Sequence, residues 1–99
     1  MVSEKILALL GLANRAGKLA IGFSAVEKMV RRQQRPLVIL ASDVGAAQLG
    51  KIQRWEPLAG MITDTVSADD LARALGREKL VVVAVSDPGF IKGILKLTA

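Results

Sequence analysis

Apolar and polar positions along this chain switch between a helical and an extended period. Ile6, Leu9, Leu10 and Ala13 fall at i, i+3, i+4 and i+7, one face of a first helix that Ser3 can cap and Gly17 can end. Residues 18–21 make a short strand. Gly22 and Ser24 open a second helix running to about Gln34, with Ser24 and Glu27 spaced as a capping box, and Pro36 forbids its continuation. Residues 37–41 are an unbroken apolar run of strand length. Asp43 can cap a third helix that turns Ala46, Leu49 and Ile52 inward. Pro57 and Gly60 break the chain before a weak strand at residues 61–63. Ser67 and Asp70 have capping-box spacing for a fourth helix ending at Gly76. Residues 80–85, five aliphatics and one alanine, form the strongest strand. Asp87 and Pro88 then start a last helix, with Ile91, Ile94 and Leu95 facing in and Lys92 and Lys96 facing out.

Helices and buried apolar strands thus alternate from end to end. That alternation predicts an α/β domain with helices on both faces of a small sheet. The two strongest strands hold almost no polar residue, so both faces of each are expected to be covered. At 99 residues there is room for one core and one domain, residues 1–99. Apolar residues reach 52%, enough to fold, but aromatics only 3% (Phe23, Trp55 and Phe90), so the core must be aliphatic.

Cysteine and histidine are both absent. This removes disulfides, thiolate nucleophiles, the commonest general base and the commonest metal ligand. A hydrolase triad, a zinc finger and a haem or iron–sulfur protein are disfavoured, and no metal or cofactor is expected. No apolar run approaches a membrane span, and no secretory signal is evident, so the expectation is a soluble cytoplasmic protein that is not a membrane component.

Charge sharpens the picture. The net +5 arises wholly within residues 1–35, where seven bases face two acids; residues 36–99 balance seven against seven. A positive field concentrated in one third of a domain suits a polyanionic partner. Lys28, Arg31, Arg32 and Arg35 sit at i, i+3, i+4 and i+7 and form one basic stripe, with Val26, Met29 and Val30 opposite it. Ser24 lies one turn before Lys28 on the stripe's side. A helix start offers free N–H groups and the positive end of the dipole, so a phosphate backbone can dock there. A solvated helix face that keeps the protein soluble explains the same stripe.

Other features carry less. Gly45-Ala-Ala-Gln-Leu-Gly50-Lys51-Ile52 nearly spells a phosphate-binding loop after a strand, but Ile52 replaces the hydroxyl residue that would hold magnesium. Gly50 and Lys51 read better as positions in an amphipathic helix, and an enzyme is disfavoured. Trp55 can stack on a base or anchor a helix end. The loop of Val85, Ser86, Asp87 and Pro88 follows the strongest strand. It is a candidate contact, and its Asp-Pro-Gly sequence equally explains a tight turn.

Taken in order, Leu10-Gly-Leu-Ala-Asn-Arg-Ala-Gly-Lys-Leu19, Gly22, Lys28, Leu37-Val-Ile-Leu-Ala-Ser-Asp-Val44 and Val82-Val-Ala-Val-Ser-Asp87 resemble the ribosomal L7Ae/L30e family, and within it the small bacterial YlxQ-like branch. The resemblance implies a three-layer α/β/α sandwich with a mixed four-stranded sheet, no enzymatic activity, and binding of structured RNA such as a kink-turn. It implies that the second helix starts with Gly-x-Asn-Glu-x-x-Lys, which is met here by Gly22 and Lys28. Ser24 stands in place of Asn and Ala25 in place of Glu. It further implies a second contact in the loop after the last strand, where apolar and backbone atoms surround an extruded nucleotide.

The expected RNA-binding set is therefore Lys18, Gly22, Phe23, Ser24, Ala25, Lys28, Arg31, Arg32, Val85, Ser86, Asp87 and Pro88. The expected partners are structured or ribosomal RNA and the ribosome or translation factors, with the free protein a monomer. A ribosome-associated protein-interaction module that has lost direct RNA reading is the alternative.

Overall fold

The computed structural model describes residues 2–98. Helix α1 (Val2–Arg15) is followed by β1 (Leu19–Ile21), α2 (Phe23–Arg31), β2 (Leu37–Leu40), α3 (Ala46–Ile52), β3 (Gly60–Ile62), α4 (Ala68–Leu75), β4 (Val82–Val85) and α5 (Pro88–Thr98). The four strands form one sheet in the order β1-β4-β2-β3. β4 pairs antiparallel with both β1 and β2, and β2 pairs parallel with β3, so the sheet is mixed.

The aliphatic runs become the two central strands, and every residue of β2 and β4 is buried. Side chains alternate across a strand, and this alternation divides the core in two. Leu37, Ile39, Val83 and Val85 point to the face covered by Ile6 and Leu10 of α1, Leu71 of α4 and Ile94 of α5. Val38, Leu40, Val82 and Ala84 point to the face covered by Val26 and Val30 of α2 and Ile52 of α3. The result is the expected three-layer α/β/α sandwich. Each Leu, Ile or Val buried in these layers contributes about 1.5–3 kcal/mol.

Most helix boundaries follow the local signals. Gly17, at φ 71°, takes the left-handed conformation that ends α1, and Lys18 N donates to the Ala13 carbonyl behind it (2.9 Å). Ser67 Oγ accepts from Asp70 N (3.1 Å) to cap α4. Asp87 Oδ1 accepts from Gly89 N and Phe90 N (2.9 and 3.2 Å) to cap α5.

Several expectations are corrected. Ser3 lies inside α1 rather than capping it. The second helix stops at Arg31, short of Gln34, because Gln33 and Arg35 adopt φ of 58° and 48°. Ser24 and Glu27 form no capping box, since the cap position is Gly22, which has no side chain to offer. Asp43 does not cap α3, whose cap residue is Gly45. Instead Asp43 Oδ1 accepts from Ala68 N (2.8 Å) at the start of α4, 25 residues away. Ala46 is exposed, leaving Leu49 and Ile52 as the inward residues of α3. β3 runs one residue early, and β4 begins at Val82 rather than Leu80. Leu95 is exposed rather than facing in.

The start of α4 is thus held twice, by its own Ser67 and by the distant Asp43. Asp43→Ala is expected to lower stability by about 1 kcal/mol, the ordinary worth of a lost helix-start acceptor. Asp43→Asn, which keeps an accepting oxygen, should retain most of that stability. Urea midpoints of the three proteins measure this, and equal midpoints for Asp43→Ala and the parent would contradict it.

Candidate nucleic-acid interface

The strand register determines which candidate residues meet. β1 runs antiparallel to β4, with Ile21 opposite Val83 and Leu19 opposite Val85. The next residue, Gly22, donates its N–H to the Val82 carbonyl (3.0 Å). The start of α2 therefore sits at the beginning of β4. The loop of Val85, Ser86, Asp87 and Pro88 leaves from the other end, about 13 Å away at ~3.3 Å per residue. Helix α2 then runs back along β1 and β4, and the chain re-enters the sheet with Leu37 opposite Val85.

The expected RNA-binding residues consequently fall into two groups. Gly22, Phe23, Ser24 and Ala25 lie at one end, with Lys28 further along the same helix. Lys18, which precedes Leu19, lies at the other end beside Val85 and Ser86. Arg31 and Arg32 end α2 on its way back to that same end.

At the first end, a groove of about 370 Å³ is lined by Gly22 and Phe23, by Gln48 of α3, and by Lys79, Leu80 and Val81 in the connection entering β4. Gln48, Lys79, Leu80 and Val81 were not singled out from the sequence. The three before β4 become neighbours of Gly22 only through the antiparallel pairing of β1 with β4, which no local pattern announces. The single available signal was a basic residue, Lys79, directly before the strongest strand.

The chemistry of this end is that of an open helix start. Gly22 is held at φ 90° and ψ 164°, a region that is essentially restricted to glycine. No side chain caps α2, and its first intrahelical bond is Val26 N to the Gly22 carbonyl (3.0 Å). Among the described residues, the N–H groups of Phe23, Ser24 and Ala25 have no acceptor. In α4, Asp43 and Ser67 accept from Ala68 N and Asp70 N, and in α5 Asp87 accepts from Gly89 N and Phe90 N. Ser24 and Lys28 are exposed beside the open donors. Phe23 is half-buried against Trp55, with ring centroids 5.0 Å apart and planes tilted by 48°. Trp55 therefore anchors the end of α3 and braces the start of α2. Phe23 presents only part of its ring and Ala25 packs partly into the core.

The basic stripe is shorter than its spacing suggests. Lys28 and Arg31 are helical, Arg32 is the cap residue, and Arg35 lies in the loop at positive φ. Pro36 denies Arg35 the right-handed helical region, so the stripe cannot continue. Arg31 pairs with Glu27 at 3.6 Å on the exposed surface. Among the described residues Lys28 and Arg32 form no ion pair.

Gly50 and Lys51 lie within and near the end of α3, not in a phosphate-cradling loop. No group of three or more metal-ligating side chains exists among the described residues, and no helix among them is long and apolar enough to cross a membrane.

The class the fold defines is a small α/β/α sandwich on a mixed four-stranded sheet, with an uncapped helix start beside the exposed Lys28. Comparison with known proteins makes this specific. The chain belongs to the ribosomal protein L7Ae/L30e/S12e/Gadd45 family, whose profile matches residues 4–94. It is 36% identical over 90 residues to the RNA-binding protein YlxQ of Bacillus subtilis (strain 168), covering 90% of each chain. Among solved structures it resembles a protein of unknown function from Bacillus halodurans C, with a TM-score of 0.78, 35% identity, and coverage of 94% of this chain and 95% of that one. A Giardia lamblia 15.5kD RNA binding protein shares the fold, with a TM-score of 0.66 at 18% identity and coverage of 97% and 83%. This is a family of ribosomal-type proteins and not of enzymes.

Gly22→Ala tests the backbone requirement. A Cβ at Gly22 meets no atom within 4 Å, so any loss arises from the φ of 90° rather than from a clash. The expected loss is about 1–3 kcal/mol, read as a lower denaturant midpoint. An unchanged midpoint would show that the helix start tolerates another conformation.

Proposed function

We propose that this chain is an RNA-binding domain that takes structured RNA at the start of α2. The observation that carries the reading is the row of unpaired N–H groups of Phe23, Ser24 and Ala25 beside Lys28, in a chain of this family. Backbone donors and a helix dipole favour phosphate oxygens at that position. Gly22, lacking a side chain, lets the RNA backbone approach closely. Lys28 contacts phosphate or a guanine edge, and Arg31, Arg32 and Lys18 add long-range attraction. Lys79, across the groove from Gly22, supplies a second cation near the same phosphates. The B. subtilis relative, itself called an RNA-binding protein, supports the same class of ligand.

The finer reading is recognition of a kink-turn or a ribosomal RNA element, by a cytoplasmic protein acting with the ribosome or translation factors and monomeric when free. Ser24 offers one hydroxyl where Asn would offer two groups, and Ala25 offers no side-chain polar atom. Each missing base-edge contact lowers discrimination by about 1–3 kcal/mol. Affinity here therefore leans on phosphate contacts and on shape. Val85, Ser86, Asp87 and Pro88, at the far end of β4, meet RNA only when the RNA extends along the strand.

The test is titration against a kink-turn RNA and a plain duplex of equal length at two salt concentrations. Tight binding to the kink-turn alone is the expected result. Equal, salt-steep binding to both would reduce the site to a basic surface. Binding to neither would favour the protein-interaction alternative. Lys28→Ala should weaken RNA binding about tenfold, lower the salt slope by about one and leave the melting temperature nearly unchanged. A large loss of stability with affinity per folded molecule intact would remove Lys28 from the site. Ser24→Asn should strengthen kink-turn binding by roughly tenfold without strengthening duplex binding. Equal gains on both RNAs would place Ser24 outside base reading.

A further inference from the structure

The opposite end of the sheet carries a second, larger groove of about 650 Å³, between the α2–β2 connection and α5. Its apolar lining comes from Pro88, Ile91 and Leu95, and its cations from Arg35, Lys92 and Lys96. No acidic residue lines it. Leu95, expected to face the core, is 39% exposed here and is one of three large apolar side chains so exposed among the described residues. Lys92 and Lys96 are spaced i, i+4 and stand one turn apart on α5. Arg35 faces them from a backbone held at φ 48°, following Gln33 at φ 58°. Among the described residues none of the three cations forms an ion pair. An aliphatic lining with paired cations at its rim is a poor match to a phosphate backbone, which gains nothing from apolar walls. It matches a peptide that carries aliphatic side chains on one face and carboxylates beside them.

We propose that this groove is a docking site for an acidic amphipathic helix of a partner protein, which inserts aliphatic side chains over Ile91 and Leu95 and sets its carboxylates against Arg35, Lys92 and Lys96. The α5 residues lining the groove run from Pro88 to Lys96, about 12 Å of helix, which matches some two turns of a partner helix. The site is separate from the start of α2, so it does not depend on the RNA reading and leaves that surface free. RNA confined to the start of α2 leaves this groove open, whereas RNA extended along β4 to Ser86 and Pro88 competes for it.

The experiment uses fluorescein-labelled 14-residue peptides with leucines spaced three and four apart and glutamates between them, in three leucine registers. A scrambled peptide of the same composition is the control, and a plain RNA duplex is the competitor. Amide shifts of the ¹⁵N-labelled protein locate the contact. The expected result is a dissociation constant on the order of 100 µM, as for a small transient interface, for at least one striped peptide. Shifts should centre on Arg35, Ser86 and α5. Lys92→Glu/Lys96→Glu should weaken peptide binding by about tenfold or more, and Leu95→Ser should weaken it several-fold. Both variants are at exposed positions, and unchanged shifts for the rest of the protein verify their fold. Equal affinity for the scrambled peptide would overturn the proposal, because charge alone would then suffice. So would an absence of binding by every striped peptide at millimolar concentration. Displacement of the peptide by the RNA duplex, with shifts at the same α5 amides, would make this face a nucleic-acid surface instead.

Discussion

The pairing of β4 with both β1 and β2 is the constraint on which the rest of the molecule hangs. All four residues of β4 are buried, and they alternate between two aliphatic clusters, Val83 and Val85 on one face and Val82 and Ala84 on the other. A polar residue at any of these positions would lack a partner in one of the two cores. The strand also sets the functional geography. Its first residue accepts the Gly22 N–H and so fixes the start of α2, while its last residue releases the chain into the Asp87 cap of α5. The two surfaces described above are the two ends of this one strand.

The starts of α2 and α3 are left open at glycines, while those of α4 and α5 are closed. Asp43, Ser67 and Asp87 close α4 and α5 with side-chain oxygens, and the cap position of α2 is occupied by a glycine that supplies none. The helix gives up the stability of a cap and leaves three donors without an acceptor in the protein. Support comes from below: the Phe23–Trp55 contact joins the first turn of α2 to the end of α3, so the donors sit on a braced element rather than a frayed one.

Much of this arrangement was readable from the residues in order. The aliphatic runs of β2 and β4, the Gly17 stop, and the Ser67 and Asp87 caps are local signals with one physical solution each. The failures have two causes, contacts between residues distant in the chain and local backbone turns that the spacing does not show. Asp43 has the correct spacing to cap α3, and it serves α4 because tertiary packing brings Ala68 within reach. The helical spacing of Arg35 continues past Arg31, but the backbone turns left-handed at Gln33. Leu95 has inward spacing on α5, yet the single covered face of that helix is filled by Ile94 and partly by Ile91 and Leu97. In the candidate interface, Gly22 and Lys28 were identified by charge and resemblance. Lys79 was not, and the loop after β4 was grouped with a helix start that the register places at the other end of the strand.

The margins of the sheet have a consequence of their own. β1 and β3, the two outer strands, are three residues each, and Lys18 stands at the approach to β1. Edges this short offer few unpaired donors and acceptors to another copy of the same chain. A protein concentrated on a polyanion meets its own copies at high local density, where a long open edge would seed strand-by-strand aggregation. Edges of three residues give that route little to build on.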